Sequence, residues 1–348
     1  MTRNAPALVS VVIPVYGVER FVAATLRSVL AQTYPHFEVW IVDDESPDRS
    51  IEICQQFDDP RLHVIHQRNR GLAGARNAGI RHCRGDYVAF LDSDDLWLPE
   101  KLAKHVAHLD RASHVGVSYC PSEFIDEAGT PLGIYQTPAL ADISAGQVLC
   151  RNPVGNGSAP VLRREALEAI AFSDSRHGEA EICYFDEAFR ESEDVECWTR
   201  IAVLTDWVFE GIPEVLTQYR VNLGGLSANL RKKQRSWEQM LAKVTAYAPE
   251  FAESYVPPCR AYHLRFLARR AVTLRDGGQA LQLWSEAIAA YPRMWIEEPR
   301  RTGLTLAAAL ALAALPRPLY QRLEQVAIAV TGKSQQRRLA ATPTAPQS

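Results

Sequence analysis

Residues 8–109 alternate short apolar stretches with longer amphipathic ones. Strand-length segments at 9–15, 38–42, 62–66 and 87–91 are rich in β-branched and aromatic residues, and each runs into polar or glycine-containing sequence. Amphipathic stretches of helical length follow them at 20–32, 49–57, 72–83 and 99–109. This βαβα alternation predicts a mainly parallel sheet sandwiched between helices.

From 115 to 220 the pattern loosens. Strand candidates at 115–120, 159–162, 207–209 and 215–219 are separated by helical pieces at 144–150, 165–171 and 195–204, and they are expected to extend the first sheet as a mixed one. Beyond 229 the chain reads as helices, at 231–247, 260–275 and 279–291, punctuated by Gly277, Gly278 and Pro292. The expected organisation is an α/β domain over 1–228, a helical accessory region over 229–330, and a polar, disordered tail over 331–348. The longest apolar run, 304–315, falls short of the roughly 20 residues that span a bilayer and is stopped by Pro316. Two readings stay open for it: a buried helix, or a helix lying flat on a membrane with Arg300, Arg301 and Arg317 beside the headgroups.

Charge narrows the function classes. A formal net charge of -3 and a pI near 6.3 leave no global basic field for a nucleic-acid backbone, so nucleic acid is not an expected partner. Seven scattered cysteines without a C-x-x-C pair read as reduced, buried thiols, and the N-terminus lacks a signal-peptide core; a cytoplasmic protein is expected.

In a parallel α/β sheet, ligands bind outside the carboxyl ends of the strands. Here those ends carry Pro14 and Tyr16, then Asp43 and Asp44, then Asn69, Arg70 and Gly71, and finally Asp92, Ser93, Asp94 and Asp95. Aromatic, acidic and basic groups converge on one rim. Asp92 and Asp94 form a D-x-D pair whose oxygens suit Mg²⁺ or Mn²⁺, although Asp94 or Asp95 could instead cap the helix after Pro99.

These strand ends, together with 30–34 and the stretch Gly71-Leu-Ala-Gly-Ala-Arg-Asn-Ala-Gly79, resemble glycosyltransferase family 2 in order and spacing over about residues 8–225. The resemblance implies a GT-A fold: a Rossmann-like, mixed but mainly parallel sheet flanked by helices, with the helical C-terminal region added. It also implies inverting sugar transfer from a nucleoside diphosphate sugar, a UDP-sugar being the expected donor. The acceptor would be a hydroxyl on a saccharide or lipid-linked saccharide, in surface polysaccharide or glycolipid assembly. Carried over to this chain, Pro14 and Tyr16 border the nucleoside, Asp44 accepts a hydrogen bond from the base, and Asp43 lies near the ribose. Arg70 or Arg76 approaches the diphosphate. Asp92 lies near ribose and metal, and Asp94 is the main ligand of a Mn²⁺ or Mg²⁺ ion that neutralises the leaving group. Peripheral contact with the inner face of the plasma membrane through the C-terminal region is a further possibility.

Glu193-Asp194 followed by Trp198 and Arg200 resembles the family's E-D-x-x-x-W-x-R segment, which makes Asp194 the general-base candidate and Glu193 its local rival. Trp198 is expected to pack, and Arg200 to hold the segment. The closing segment 219–227 departs from the family by carrying Asn222 where histidine is common, so no diphosphate contact is assigned there. Gly155-Asn156-Gly157-Ser158 is open to two readings, a flexible acceptor-side loop or an ordinary glycine-rich turn, and His105 and His108 read as packed or solvated histidines. The rivals are a nucleotidyltransferase, which would need a glycine-rich basic loop where Pro14–Glu19 stands, and a catalytically silent sugar-nucleotide-binding scaffold.

Overall fold

The computed structural model describes residues 5–221 and 230–341. In chain order the elements are β1 (Val9–Val15), α1 (Val22–Leu30), β2 (Phe37–Asp43), α2 (Ser50–Cys54), β3 (Leu62–His66), α3 (Gly71–His82), β4 (Tyr87–Phe90), β5 (Leu96–Trp97), α4 (Lys101–Arg111), β6 (Val115–Tyr119), β7 (Ser122–Ile125) and β8 (Pro131–Gln136). There follow α5 (Ala145–Arg151), β9 (Val161–Arg163), α6 (Arg164–Glu168), β10 (Phe172–Asp174), β11 (Glu181–Cys183), α7 (Glu193–Leu204), β12 (Val208–Gly211) and β13 (Thr217–Arg220). The helices α8 (Leu230–Tyr247), α9 (Pro249–Thr273), α10 (Gly277–Ala290), α11 (Met294–Glu297), α12 (Pro299–Ala314) and α13 (Arg317–Ala341) complete the chain.

Seven strands form the main sheet in the order β12-β6-β9-β4-β1-β2-β3. All neighbours are parallel except β9, which runs antiparallel to both β4 and β6. β1 is buried at every position, as expected of a central strand covered on both faces. Its side chains Val9, Val11, Ile13 and Val15 join Val22, Leu26 and Val29 of α1 in one core.

The last predicted strand does not extend this sheet. β13 instead pairs with β5 and β7 in a four-stranded sheet completed by β8, and β10 and β11 form a separate hairpin. β5, β10 and β11 are two or three residues long and carry no readable alternation, so local pattern does not reveal them.

The chain divides into two compact units, one of residues 5–144, 153–221 and 335–341, the other of 145–152 and 230–334. α5 therefore belongs with the C-terminal helices although it lies inside the α/β sequence. Gly146 abuts the ring of Tyr255, the Cys259 thiol donates to the Leu149 carbonyl, and Arg151 pairs with Glu298. α9 starts earlier than its pattern suggests and runs on through Pro257 and Pro258. These two residues lack a backbone N–H, and the helix is carried past them by packing against α5, α8 and α10.

Residues 331–341, expected as the start of a disordered tail, continue α13. The stretch is rich in Gln, Arg, Leu and Ala, all good helix formers. Gln335 also anchors it, its side-chain amide accepting from the N–H of Tyr135 and donating to the same residue's carbonyl. α12, the apolar run, buries Thr302, Thr305 and Ala309 and leaves Leu304 and Leu310 exposed, which is not the pattern of a buried helix. Among the described residues no helix is long and apolar enough to cross a membrane.

α3 lies on β1 at Gly79, where any Cβ would collide with the Val12 side chain. Gly79→Val is accordingly expected to destabilise the fold by about 1–3 kcal/mol. Urea unfolding would report this as a lowered midpoint; an unchanged midpoint would mean that α3 does not rest on β1 there.

Candidate active site

The site grows from the carboxyl end of β4, where the chain turns through Asp92, Ser93, Asp94 and Asp95 before entering β5. Asp95 is fully buried. Its carboxylate accepts the Ser158 hydroxyl (2.6 Å) and the backbone N–H of Arg220 (2.8 Å). Burial first, then the charges of Asp94 and Asp92, push its pKa well above the ordinary carboxylate range. Asp95 is thus the acid that supports the turn, and Asp92 and Asp94 are left partly exposed at the rim.

Four elements clamp the turn. The Thr25 hydroxyl of α1 lies 2.9 Å from the carbonyls of both Ser93 and Asp95. Ser158 accepts the Asp92 N–H, and the Arg220 guanidinium donates to the Asp94 carbonyl at 2.7 Å. From α3, Arg76 donates to the Asp92 carboxylate at 2.8 Å. The loop around Ser158 is therefore a buried support and not a flexible acceptor loop. Asn156 braces it by accepting the Ser158 N–H, and Gly157 is required because a Cβ there would strike Arg76 and Asp92.

Arg76 is buried and also donates to Glu193 at 2.9 Å, joining the β4 turn to the start of α7. Arg70 is equally committed, held by Glu187 and Glu181. Each arginine serves glutamates that need a counter-charge: Arg76 pairs with Glu193 and Arg70 with Glu187 and Glu181. Arg190 is exposed, and its guanidinium lies over Gly71 at the N-terminus of α3 and near Asp44. Gly71 has φ +75°, and a side chain there would run into Arg190.

Asp44 is likewise engaged within the chain. It is buried, and it accepts the N–H groups of Arg70 and Gly71, each at 2.8 Å, and the Gln67 amide at 2.7 Å. The unpaired N–H groups and positive dipole end of α3 draw the nearest carboxylate, so Asp44 caps that helix. Asp43 sits half-buried beside it, with one oxygen on the Ser46 N–H and the other 2.9 Å from His66 Nδ1. Pro14 is buried within β1, and Tyr16 projects just beyond it with its side chain open to solvent.

Asp194 is the second residue of α7 and partly exposed, whereas Glu193 is buried. Burial raises the Glu193 pKa to about 7, with Asp194 and Asp92 adding to it and Arg76 opposing. Trp198 packs against Phe90 and Phe185, and Arg200 fixes α7 through Glu196 and the carbonyls of Ile170 and Tyr184, both as expected. Burial first, then the charges of Asp95, Asp92, Asp94 and Asp194, hold the Tyr219 phenol proton well above its usual value. His105 and His108 lie away from the rim, buried on the Ser118 hydroxyl. Residues 222–227, including Asn222, fall outside the described residues.

Among the described residues no three His, Cys, Asp or Glu side chains enclose a metal site. Asp94 and the second oxygen of Asp92 fit an open site instead, in which phosphate oxygens and water complete a hard cation's shell. The three crowded acids supply the charge such a cation would balance.

This arrangement is that of a nucleotide-sugar transferase, and the comparisons agree. The sequence profile of glycosyl transferase family 2 matches residues 10–170. TuaG of Bacillus subtilis, by name a glycosyltransferase of teichuronic acid biosynthesis, is 41% identical over 241 residues, covering 68% of this chain and 88% of TuaG. WfaP of Escherichia coli, named as a UDP-Glc:alpha-D-GlcNAc-diphosphoundecaprenol beta-1,3-glucosyltransferase, is 31% identical over 232 residues, or 65% of this chain and 82% of WfaP. The chain belongs to glycosyl transferase family 2 and is a glycosyltransferase. Its fold is GT-A: S. aureus TarS 1-349 in complex with UDP-GlcNAc superposes with a TM-score of 0.59 at 18% identity, over 87% of this chain and 88% of that one. The mannosyltransferase PcManGT of Pyrobaculum calidifontis, in complex with GDP-Man and Mn²⁺, gives 0.54 at 22% identity, over 89% and 87%.

Two stability effects follow from the buried bridge. Arg76→Met leaves Asp92 and Glu193 facing each other without a cation, and is expected to cost about 3–5 kcal/mol in chemical unfolding. Because Glu193 titrates near 7 in the fold against 4.5 in a free side chain, the folded state binds the extra proton between those values. Its stabilising contribution is complete below about pH 4.5 and is lost as pH rises through about 7. Glu193→Gln should flatten that part of the stability–pH curve; an unchanged curve would place the titration elsewhere.

Proposed function

We propose that the enzyme transfers a sugar, with inversion, from a UDP-sugar to a hydroxyl of a lipid-linked saccharide during surface polysaccharide or glycolipid assembly. The observation that carries this reading is the buried Arg76 bridge, which ties Asp92 of the β4 turn to Glu193, beside Asp194 at the start of α7. The names of TuaG and WfaP support the pathway class and the acceptor type.

In this reading Tyr16 stacks on the base, Pro14 and Asp43 shape the nucleoside pocket, and Asp44 contributes by holding the start of α3 in place. The N-terminus of α3 and Arg190 face the diphosphate, in place of Arg70 and Arg76. Asp94, with Asp92, would hold Mn²⁺ or Mg²⁺, which when bound neutralises charge on the departing nucleoside diphosphate. Asp194 accepts the acceptor's proton as its oxygen attacks the anomeric carbon from the face opposite the leaving group. Arg76 keeps these two acid groups in register across the bond that breaks. The enzyme works on the cytoplasmic side of the membrane that carries its acceptor.

Release of nucleoside diphosphate from a panel of nucleotide sugars, with Mn²⁺, Mg²⁺ or chelator, tests the reading. Asp94→Ala should abolish metal-dependent release, and Asp194→Asn should lower kcat by about 10²–10⁴ with little change in donor KM. Arg190→Gln should instead raise donor KM by about tenfold, the loss expected for one charge-assisted hydrogen bond. Transfer by Asp194→Asn at the wild-type rate, with chemistry limiting, would remove it as the base.

A further inference from the structure

The C-terminal helices carry a chemistry unlike the rest of the chain. Residues 299–341 contain seven arginines and lysines and a single acid, Glu324, in a protein of formal net charge -3. Within α13, Leu319, Leu323, Val326 and Val330 recur at alternating four- and three-residue spacing, and so lie along one face. That face is open: the four side chains are 47%, 49%, 62% and 62% exposed. Arg322 and Lys333 border the stripe and Arg337 prolongs it, all three exposed. The side turned toward the rest of the unit carries Tyr320, which is buried, and Glu324, which pairs with Arg275.

An exposed apolar stripe flanked only by cations matches an anionic bilayer surface, where leucine and valine enter the acyl boundary and arginine and lysine meet the headgroup charge. A second copy of the chain fits less well. Pairing along this face would bring Arg322, Lys333 and Arg337 of two copies together with no acid on that side, because the helix's one acid already serves Arg275. Just upstream, Ile296 and Leu304 are 82% and 71% exposed, next to Arg300 and Arg301.

We propose that the Leu319–Val330 face of α13 is a peripheral docking surface for anionic lipid. It brings the enzyme to the bilayer holding the lipid-linked acceptor of the proposed function, but the contact itself needs neither donor nor acceptor.

Co-sedimentation of the full chain with vesicles tests it. The wild type should bind vesicles of phosphatidylcholine with phosphatidylglycerol, bind pure phosphatidylcholine far less, and lose the contact at high salt. Leu323→Asp combined with Val326→Asp should weaken binding more than tenfold, and each of Arg322→Glu and Lys333→Glu by about fivefold or more. The thermal midpoint and vesicle-free release of nucleoside diphosphate should be unchanged in all of them. Absence of wild-type binding, or equal binding by the double variant, would overturn the proposal. So would a wild-type dimer, seen by sedimentation velocity, that the double variant converts to monomer while vesicle binding persists. Vesicle binding without any nucleoside diphosphate release would retain this surface and reject the transfer reaction instead; release without vesicle binding would do the reverse.

Discussion

Three aspartates leave the end of β4 within four residues, and the structure around them is organised by the need to hold that charge. Two carboxylates 4 Å apart repel by about 4 kcal/mol at the effective dielectric of a protein surface, and by more as they are buried. The chain divides the problem. Asp95 is taken inside, its pKa raised by burial and by the neighbouring aspartates, and it accepts from Ser158 and the Arg220 N–H. Asp92 is given Arg76, and Asp94 remains at the rim with its carbonyl held by Arg220. The acid best placed to meet a cation is therefore the one whose turn is most rigidly held from behind.

The same balancing explains why two arginines in the glycine-rich start of α3 are paired with glutamates. Glu181 and Glu187 lie in and just after the β10–β11 hairpin, and Glu193 begins α7; each requires a counter-ion once the hairpin and α7 fold against α3. Breaking such a pair from one side is costly, so the arginines are fixed in the folded state. They set where the hairpin and the start of α7 stand relative to α3 and β4, and Arg76 does so with one guanidinium touching Asp92 and Glu193.

The donor rim was legible in the sequence because it depends on chain order alone. Strands followed by helices define a parallel sheet, and its carboxyl ends must then gather Tyr16, Asp43, Asp44, Asp92 and Asp94 on one edge. What those residues do there was less legible, since a partner's identity depends on contacts distant in the chain. Ser158 lies 66 residues from Asp92, and Arg220 lies 125 from Asp95. Asp44 shows the limit well: its position at a strand end was readable, but its capture by the N–H groups of α3 depends on how closely α3 starts to β2. Arg190 carried no local signal at all, because it stands in an irregular stretch between the hairpin and α7.

The C-terminal helices fail the sequence reading in a different way. An apolar run is ambiguous by composition between a core and a surface, and only packing decides which face turns inward. In α12 the threonines and an alanine take the interior and leucines are left outside, and in α13 the aromatic and the acid face inward while leucines and valines face out. Such an inversion wastes burial energy of about 1.5–3 kcal/mol for each large side chain left in water. The excess of cations beside the α13 face is the charge that a negatively charged surface would complement.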